Sequence, residues 1–250
     1  MKALVTGASS GIGYEIAKYL SDLNYDLIVV ARDKGKLDSL VKEVKTQVKI
    51  ITMDLNLEEN CLKLYKMCKD DNIDILVNNA GFGLYGKFTE TDLEVELNMI
   101  NTNINAVHIL TKLFLKDMKK RNSGYILNVS SAASFQPGPL MATYYATKAY
   151  VLRLTTALYE EQRREKTNIV VSVLCPGPVK TNFNNIANVE FSVKPLSSKY
   201  VAKYAINQMF KRKLIIIPGL YMKLSYIFSR FLPIKSILKI TYNIQRKKNN

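Results

Sequence analysis

The chain has 250 residues, of which 48% are hydrophobic and 23% charged, and it contains three cysteines and one histidine. This length and composition are sufficient for one large α/β domain with a buried core. The cysteines are too few and too irregularly spaced for a disulfide framework or, with the single His108, for a zinc site, so no metal is expected. We expect a cytoplasmic protein, because no secretory leader precedes the first predicted strand and no apolar run approaches the roughly 18 residues of a membrane span.

The net charge of +15 is unevenly distributed along the chain. Residues 191–250 contain thirteen Lys or Arg and no Asp or Glu, which leaves +2 for the first 190 residues (15 − 13). The basic character therefore belongs to the C-terminal part. No recognised nucleic-acid-binding motif accompanies the charge, so no nucleic-acid partner is expected.

Short apolar runs rich in β-branched residues recur along the chain, and stretches of helical length separate most of them. The runs lie at residues 2–6, 26–31, 48–53, 74–78, 124–131, 169–175 and 213–217. Such alternation is typical of parallel strands joined by crossover helices. It predicts an α/β protein with a single doubly wound Rossmann fold, in which helices cover both faces of a parallel sheet of about seven strands.

Helical spacing predicts which faces of the helices are buried. One apolar face consists of Ile12, Ile16, Leu20 and Leu23, and a second consists of Leu93, Leu97, Ile100 and Ile104. The second helix is predicted to begin at Thr91 as N-cap, with Glu94 completing a capping box. We expect Cys61, Cys68 and Cys175 to be buried core residues and His108 to be a packed or partly exposed helix residue.

A glycine-rich turn, TGASSGIG at residues 6–13, follows the first predicted strand and opens a helix. Glycines permit a tight turn and the close approach of a diphosphate, which free N–H groups and the helix dipole then hold. The turn could also be a strand-to-helix connection without a ligand. The predicted contacts with a dinucleotide are Gly7, Ser9, Ser10, Gly11, Ile12 and Gly13.

Arg32 follows the second predicted strand, where a dinucleotide-binding fold contacts the adenosine ribose. An acidic residue there would bind a free 2′-OH, whereas an arginine binds a 2′-phosphate, so the sequence favours NADP(H), with Lys36 assisting. The alternative for Arg32 is a solvated loop cation. Asp54 follows the third strand and either accepts a hydrogen bond from the adenine amino group or is an ordinary turn residue. Leu55 is its predicted neighbour in the cofactor site.

Tyr144 and Lys148 stand four residues apart in YYATK, so on a helix both project from one face. A free phenol is a poor base at neutral pH. A nearby ammonium and a positively charged nicotinamide ring would lower the pKa of the phenol and let Tyr144 exchange a proton with an alcohol or carbonyl oxygen. Tyr145 is out of register with Lys148 and is expected to be a wall or packing residue.

In the order of these elements the chain resembles the short-chain dehydrogenase/reductase family over about residues 1–220. The resemblance rests on residues 6–13, Asn78-Asn79-Ala80-Gly81, Asn103, Ser131, Tyr144, Lys148 and residues 176–181. It implies an enzyme that interconverts a carbonyl and an alcohol with NADP(H). The alternative is a regulator or scaffold that binds NADP(H) without catalysis.

The resemblance implies a catalytic set of Asn103, Ser131, Tyr144 and Lys148. Ser131 would hydrogen-bond the substrate oxygen, with Ser130 as the other candidate. Asn103 would hold a water linked to Lys148, and Asn101 and Asn105 are its rivals.

The resemblance also implies further cofactor contacts, in addition to those of Tyr144 and Lys148. Asn79 and Gly81 would lie along the ribose, and Val179 and Thr181 would face the nicotinamide amide. Asn78 is expected to clamp neighbouring strands instead.

Apolar side chains on two segments predict a roomy pocket for a fatty-acyl, steroid-like or lipid-like substrate, or they only pack these segments onto the body. They are Phe183, Ile186, Val189, Phe191 and Val193, together with Phe135, Pro137, Pro139, Leu140 and Met141.

Residues 1–219 are predicted to form the catalytic domain, and residues 220–250 a basic amphipathic extension that is not an independent domain. Two apolar helical stretches, broken at Pro233, carry interspersed cations. Three interpretations stay open: peripheral association with an anionic membrane, an oligomer contact, or a lid over the cleft. The family resemblance implies a homodimer or homotetramer.

Overall fold

The computed structural model describes residues 1–181, 194–229 and 231–246. Its strands are β1 Lys2–Thr6, β2 Asp26–Ala31, β3 Val48–Thr52, β4 Ile75–Asn78, β5 Tyr125–Val129, β6 Val170–Leu174, β7 Val179–Lys180, β8 Leu196–Ser197 and β9 Ile215–Ile216. Seven of them form a parallel sheet in the order β3-β2-β1-β4-β5-β6-β9. The predicted Rossmann fold is confirmed. The short parallel pair β7–β8 lies outside this sheet and was not predicted.

Helices connect the strands and continue beyond the last one. They are α1 Gly11–Asp22, α2 Lys34–Val41, α3 Glu58–Cys68, α4 Leu93–Ile100, α5 Ala106–Arg121, α6 Ala142–Arg164, α7 Ser198–Phe210, α8 Leu220–Ser229 and α9 Ile234–Arg246. A π-helical turn, Asn101–Asn105, joins α4 to α5, and a 3₁₀ turn, Ala132–Phe135, follows β5.

Both faces of the sheet are buried, as the near-continuous apolar composition of its strands requires. Along β1, Ala3 and Val5 pack into the cluster that contains Ile16 and Leu20 of α1. The intervening Leu4 packs into a second cluster on the opposite face, together with parts of α3 and α5. The predicted apolar face of α1 is therefore confirmed.

The apolar face predicted for α4 is wrong. Leu93 and Leu97 are exposed, whereas Glu96 and Met99 of the same helix are buried. The reason is polar pairing: the Glu96 carboxylate accepts hydrogen bonds from the hydroxyls of Thr91 and Thr143. The N-cap also differs from the prediction, since Asp92 caps α4 by accepting from the Val95 N–H at 3.0 Å.

The three cysteines are free and buried, as predicted. Burial raises the pKa of Cys61 and Cys68 to about 11 and the pKa of Cys175 to about 12. His108 lies exposed on α5, where a ring nitrogen is 2.7 Å from the Tyr150 hydroxyl. Neither residue type lines the cleft described below.

Within residues 1–181, 194–229 and 231–246, no helix combines the length and the hydropathy that crossing a membrane requires.

A buried polar network joins the centre of the sheet to the helices on one of its faces. The Asn78 amide of β4 donates to Asn128 Oδ1 of β5 at 2.9 Å and to Thr111 Oγ1 of α5 at 3.0 Å. Asn128 in turn donates to Thr155 Oγ1 of α6 at 3.0 Å. Asn78 thus clamps neighbouring strands, as predicted, and the network fixes α5 and α6 against the edge of the sheet where the site lies.

Replacing Asn128 by alanine should lower the free energy of unfolding by about 2 to 4 kcal/mol, because buried partners on three elements lose a hydrogen bond. Urea denaturation followed by circular dichroism measures the change. Asn105→Ala, at an exposed position, should cost less than about 0.5 kcal/mol. Equal losses in the two variants would show that the network adds no more to the free energy of unfolding than an exposed side chain does.

Candidate active site

A cleft of about 990 Å³ opens at the carboxyl ends of the strands, where the strand order changes direction between β1 and β4. The turn after β1, the ends of β2, β4 and β5, the start of α6 and the segment around β7 supply most of its walls. The C-terminal helices α8 and α9 close another side. The lining residues on these helices are Tyr221, Met222, Ser225, Ile240, Asn243 and Ile244.

The first turn of α1 opens into the cleft. Gly7 and Gly11 have φ angles of 65° and 60°, which L side chains rarely adopt, and a Cβ on Gly11 would lie 2.9 Å from Thr181 Cγ2. No described side chain caps the helix at Ser10, and its first turn contains no acidic residue. Its first N–H groups and the positive end of its dipole are therefore suited to an anion such as a diphosphate.

Gly13 has a packing role that differs from the prediction of a cofactor contact. It lies beneath the cleft, and a Cβ there would be 2.3 Å from Asn79 Nδ2 and 2.4 Å from the Gly7 carbonyl oxygen. The Asn79 amide occupies this space and donates to the carbonyl oxygens of Thr6 and Gly7 at 3.1 and 3.0 Å. Asn79 lines the cleft and also braces the glycine turn, and Gly81 lines the cleft nearby.

Arg32 stands at the end of β2 with its side chain 71% exposed, and its Nη1 is 3.7 Å from Asp54 Oδ2. Arg32, Asp54 and Leu55 all line the same end of the cleft. Lys36, predicted to assist, does not line it, and its ammonium pairs with Asp33, the N-cap of α2, at 3.3 Å. The exposed guanidinium and the first turn of α1 thus give the cleft positively polarised groups that suit phosphate oxygens.

Ser131, Tyr144 and Lys148 come together at the carboxyl end of β5. The Tyr144 phenol is hydrogen-bonded to the Ser131 side chain, and Lys148 Nζ lies 5.9 Å from the centre of the Tyr144 ring. Lys148 Nζ donates to the Val129 carbonyl oxygen at 3.1 Å. Ser130 is buried and donates to the Lys148 carbonyl oxygen at 2.7 Å, so it supports the helix and is not the residue that pairs with Tyr144.

Burial dominates the protonation of both groups. It raises the pKa of Tyr144 well above the ordinary value of a tyrosine, although the bond to Ser131 opposes the shift. The lowering of this pKa by Lys148 together with a positively charged nicotinamide ring stays a prediction. Burial also lowers the pKa of Lys148 to about 8.

Asn103 lies in the π-helical turn and is fully buried. Its side-chain amide makes two hydrogen bonds to the backbone of Phe82. Oδ1 accepts from the Phe82 N–H at 3.1 Å, and Nδ2 donates to the Phe82 carbonyl oxygen at 2.9 Å. A Cβ on Gly81 would lie 2.7 Å from Asn103 Oδ1 and 3.3 Å from Lys148 Nζ. The backbone at Gly81 thus passes directly beside the predicted catalytic asparagine and lysine.

Thr147 is a site residue that the sequence reasoning missed. Its hydroxyl accepts from Asn103 Nδ2 at 3.0 Å and donates to the Tyr144 carbonyl oxygen at 2.7 Å, and it is buried. The spacing of Tyr144 and Lys148 gives no sign of this role, which depends on the neighbouring π-helical turn.

Val179 and Thr181 line the cleft, and Thr181 lies beside Gly11 of the glycine turn. Of the predicted substrate residues, Phe135 and Met141 line the cleft, whereas Phe183, Ile186, Val189, Phe191 and Val193 lie outside the described residues. In the part of the chain that the structure describes, no three His, Cys, Asp or Glu side chains are grouped as metal ligands.

The comparisons with known proteins agree with this geometry. Residues 1–190 match the family described as short chain dehydrogenase. An uncharacterised oxidoreductase of Staphylococcus epidermidis is 35% identical over 72% of this chain and 78% of its own length. The very-long-chain 3-oxoacyl-CoA reductase of Anas platyrhynchos is 34% identical over 80% of this chain and 66% of its own length.

A solved structure shows the same fold. The short-chain dehydrogenase from Sphingobium yanoikuyae in complex with NADPH superposes with a TM-score of 0.83 and 29% identity, covering 91% of each chain. The chain belongs to the short-chain dehydrogenase family. It is an oxidoreductase that acts on alcohol or carbonyl groups, and its fold binds a nicotinamide cofactor.

Lys148→Met should raise the free energy of unfolding at pH 7, in the absence of cofactor, by up to about 3 kcal/mol. The pKa of the buried Lys148 is about 8, so at pH 7 the folded wild type holds a charged ammonium away from water. The unfolded lysine titrates near 10.5. Between these values the unfolded chain binds more protons, so the wild type gains stability as the pH rises and the advantage of the variant shrinks.

Urea denaturation of both proteins between pH 7 and 10.5 measures this trend. A stability difference that stays constant over this range would contradict the buried, destabilised ammonium.

Proposed function

We propose that the chain is an NADP(H)-dependent oxidoreductase that interconverts a carbonyl and an alcohol on a hydrophobic substrate. The observation that carries the proposal is the Tyr144 phenol, hydrogen-bonded to Ser131 beside the buried Lys148, on the wall of an open cleft. A protein that only binds the cofactor needs no phenol and ammonium in this arrangement.

Each part of the cofactor has a set of residues suited to it. The first turn of α1, with Ser9, Ser10, Gly11 and Ile12, would hold the diphosphate, and Arg32 a 2′-phosphate. Asp54 and Leu55 would hold the adenine, Asn79 and Gly81 the ribose, and Val179 and Thr181 the nicotinamide amide. When bound, the cofactor supplies a hydride to the carbonyl carbon or accepts one from the alcohol. The NADPH complex of the Sphingobium relative supports the phosphorylated form.

The residues of the chain manage the proton. Because burial raises its pKa, Tyr144 keeps its proton at neutral pH and can donate it to a carbonyl oxygen that gains negative charge. Ser131 would donate a hydrogen bond to the same oxygen. Lys148, with a pKa of about 8, is largely charged at pH 7 and would stabilise the phenolate that remains. Asn103 and Thr147 would hold this group of side chains in position.

The walls of the cleft favour an apolar substrate. Beyond the candidate catalytic residues they consist largely of hydrophobic side chains, namely Phe82, Phe135, Met141, Tyr145, Met222, Ile240 and Ile244. Such a surface suits an acyl chain or a similar lipid. Among the fatty-acyl, steroid-like and lipid-like substrates, the similarity to very-long-chain 3-oxoacyl-CoA reductases supports a 3-oxoacyl compound.

We further propose that residues 1–219 form the catalytic domain and that residues 220–250 are an extension that completes its cleft. Three contacts support the packing of the extension against the cleft. Gln245 of α9 donates to the Tyr145 hydroxyl, Tyr226 of α8 packs on Phe135 with ring centres 4.3 Å apart, and Met222 packs against Gly177. A homodimer or homotetramer in the cytoplasm stays a prediction.

Tyr144→Phe should reduce the rate of NADPH-dependent reduction by about 10²- to 10⁴-fold, because the proton donor is lost, with cofactor affinity nearly unchanged. A spectrophotometric screen over 3-oxoacyl thioesters, ketosteroids, retinoid aldehydes and small diketones supplies the substrate. Tyr150→Phe, which removes a phenol of the same helix outside the cleft, is the matched control. A near-normal rate in Tyr144→Phe would overturn the mechanism.

Arg32→Ala should lower the preference for NADPH over NADH by about tenfold or more, since a charge-assisted contact with the 2′-phosphate is lost. Fluorescence titration with both cofactors measures the ratio. Lys34→Ala removes an exposed cation two residues further along and should leave the ratio unchanged. If Arg32→Ala weakens both cofactors equally, the specificity is determined elsewhere.

A further inference from the structure

The C-terminal helices α8 and α9 present two different surfaces. Their inner side chains line the cleft, and only Ile237, Thr241 and Gln245 of α9 are buried among the described residues of that helix. The chain between and around the helix ends exposes large apolar side chains. We call this surface the apolar turn, and it consists of Ile227, Phe228, Phe231, Leu232 and Ile234.

The side chains of the apolar turn are unusually exposed. A hydrogen bond from the Phe231 N–H to the Phe228 carbonyl oxygen at 3.1 Å folds the two phenylalanines into one turn. Phe228 is 66% exposed, Phe231 81% and Ile234 57%. Single exposed apolar residues are ordinary on a protein surface, but five within eight positions form a patch that indicates an interaction site.

The charge around the apolar turn selects the partner. Residues 220–250 contain seven Lys or Arg and no Asp or Glu. Lys235 and Lys239, one helical turn apart on α9, are exposed beside the turn. Apolar and aromatic side chains on a segment whose charged residues are all cationic complement a surface that is apolar inside and anionic outside, which is the chemistry of an anionic lipid bilayer.

A second exposed apolar patch in the described chain has acidic neighbours instead of basic ones. Leu93 and Leu97 on α4 are 70% and 49% exposed, but Glu90, Asp92 and Glu94 accompany them. Acidic neighbours would be repelled by anionic headgroups. Hydrophobic exposure alone therefore does not distinguish the two patches, whereas charge does.

We propose that the apolar turn inserts into the interface of an anionic bilayer and that Lys235 and Lys239 bind its headgroups. The helices on either side of the turn also line the cleft, α8 through Met222 and Ser225 and α9 through Ile240 and Ile244. The insertion thus places the cleft next to the bilayer, from which it takes a membrane-dissolved carbonyl lipid. The uptake of a lipid substrate from the bilayer rests on the proposed function, whereas the insertion of the apolar turn does not.

Co-sedimentation of the full chain with vesicles tests the insertion. Vesicles of phosphatidylcholine with 30 mol% phosphatidylserine should bind the protein, and vesicles of phosphatidylcholine alone should bind it much more weakly. Phe228→Ser with Phe231→Ser should reduce binding at least about tenfold. Lys235→Gln with Lys239→Gln should reduce it about fivefold per lysine on the anionic vesicles only.

Leu93→Ser with Leu97→Ser is the matched control, because it removes two comparably exposed leucines from the acidic patch and should leave vesicle binding unchanged. Circular dichroism shows whether each variant is folded, and the lysine pair tests the same surface should the phenylalanine pair fail to fold. No binding of the wild type to anionic vesicles, or an equal loss in the α4 control, would overturn the proposal. The proposal would also be overturned if the variants of the apolar turn changed the oligomeric state of the protein while the wild type did not bind vesicles.

Turnover separates this inference from the proposed function. With a small water-soluble diketone as substrate, the variants of the apolar turn should retain the wild-type rate, whereas reduction of a long-chain ketone carried in anionic vesicles should fall in proportion to the lost binding. Vesicle binding without turnover on any substrate would overturn the proposed function and leave the insertion standing. Equal rates on the vesicle-borne ketone would overturn the delivery of substrate from the bilayer.

Discussion

The organisation of the site depends on keeping one ammonium group out of water. Lys148 is buried, and its ammonium donates a hydrogen bond to the Val129 carbonyl oxygen at the end of β5. A cation in this position is costly, and the surrounding structure is built to hold it. Gly81 leaves room for Nζ, Ser130 fixes the backbone of the lysine, and Thr147 ties the same helical turn to Asn103.

The parallel sheet brings these residues together from distant parts of the chain. Thr6, Asn78 and Val129 end neighbouring strands, so the segments that follow them meet at one edge. The Asn79 side chain then joins the ends of β4 and β1, since it fills the space that Gly7 and Gly13 leave and bonds to the carbonyl oxygens of the turn. The glycine turn is therefore braced by the segment that begins at Asn79, and the backbone of that segment passes beside Asn103 and Lys148 at Gly81.

Local pattern was sufficient to predict the sheet, the glycine turn and α1, because each depends on residues whose geometry follows from strand or helix periodicity, whereas Ser131 was predicted from the family resemblance. It failed where tertiary contacts reverse the usual preference. On α4 the leucine stripe is exposed while Glu96 is buried, since two threonine hydroxyls satisfy the carboxylate. Likewise, no spacing rule identifies Thr147. Sequence spacing also cannot show that Met222 and Ile244 face the same cleft as Tyr144, because they lie about eighty residues and more beyond it in the chain.

The burial of all three thiols has a practical consequence for the chemistry of the whole molecule. Because burial raises the pKa of each, little thiolate exists at neutral pH, and maleimide or peroxide has almost nothing to attack. A cysteine introduced on the surface would then be the single reactive thiol in the chain. The native sequence thus already provides a silent background for site-specific attachment of a fluorophore or a spin label, with no cysteine to remove from the core.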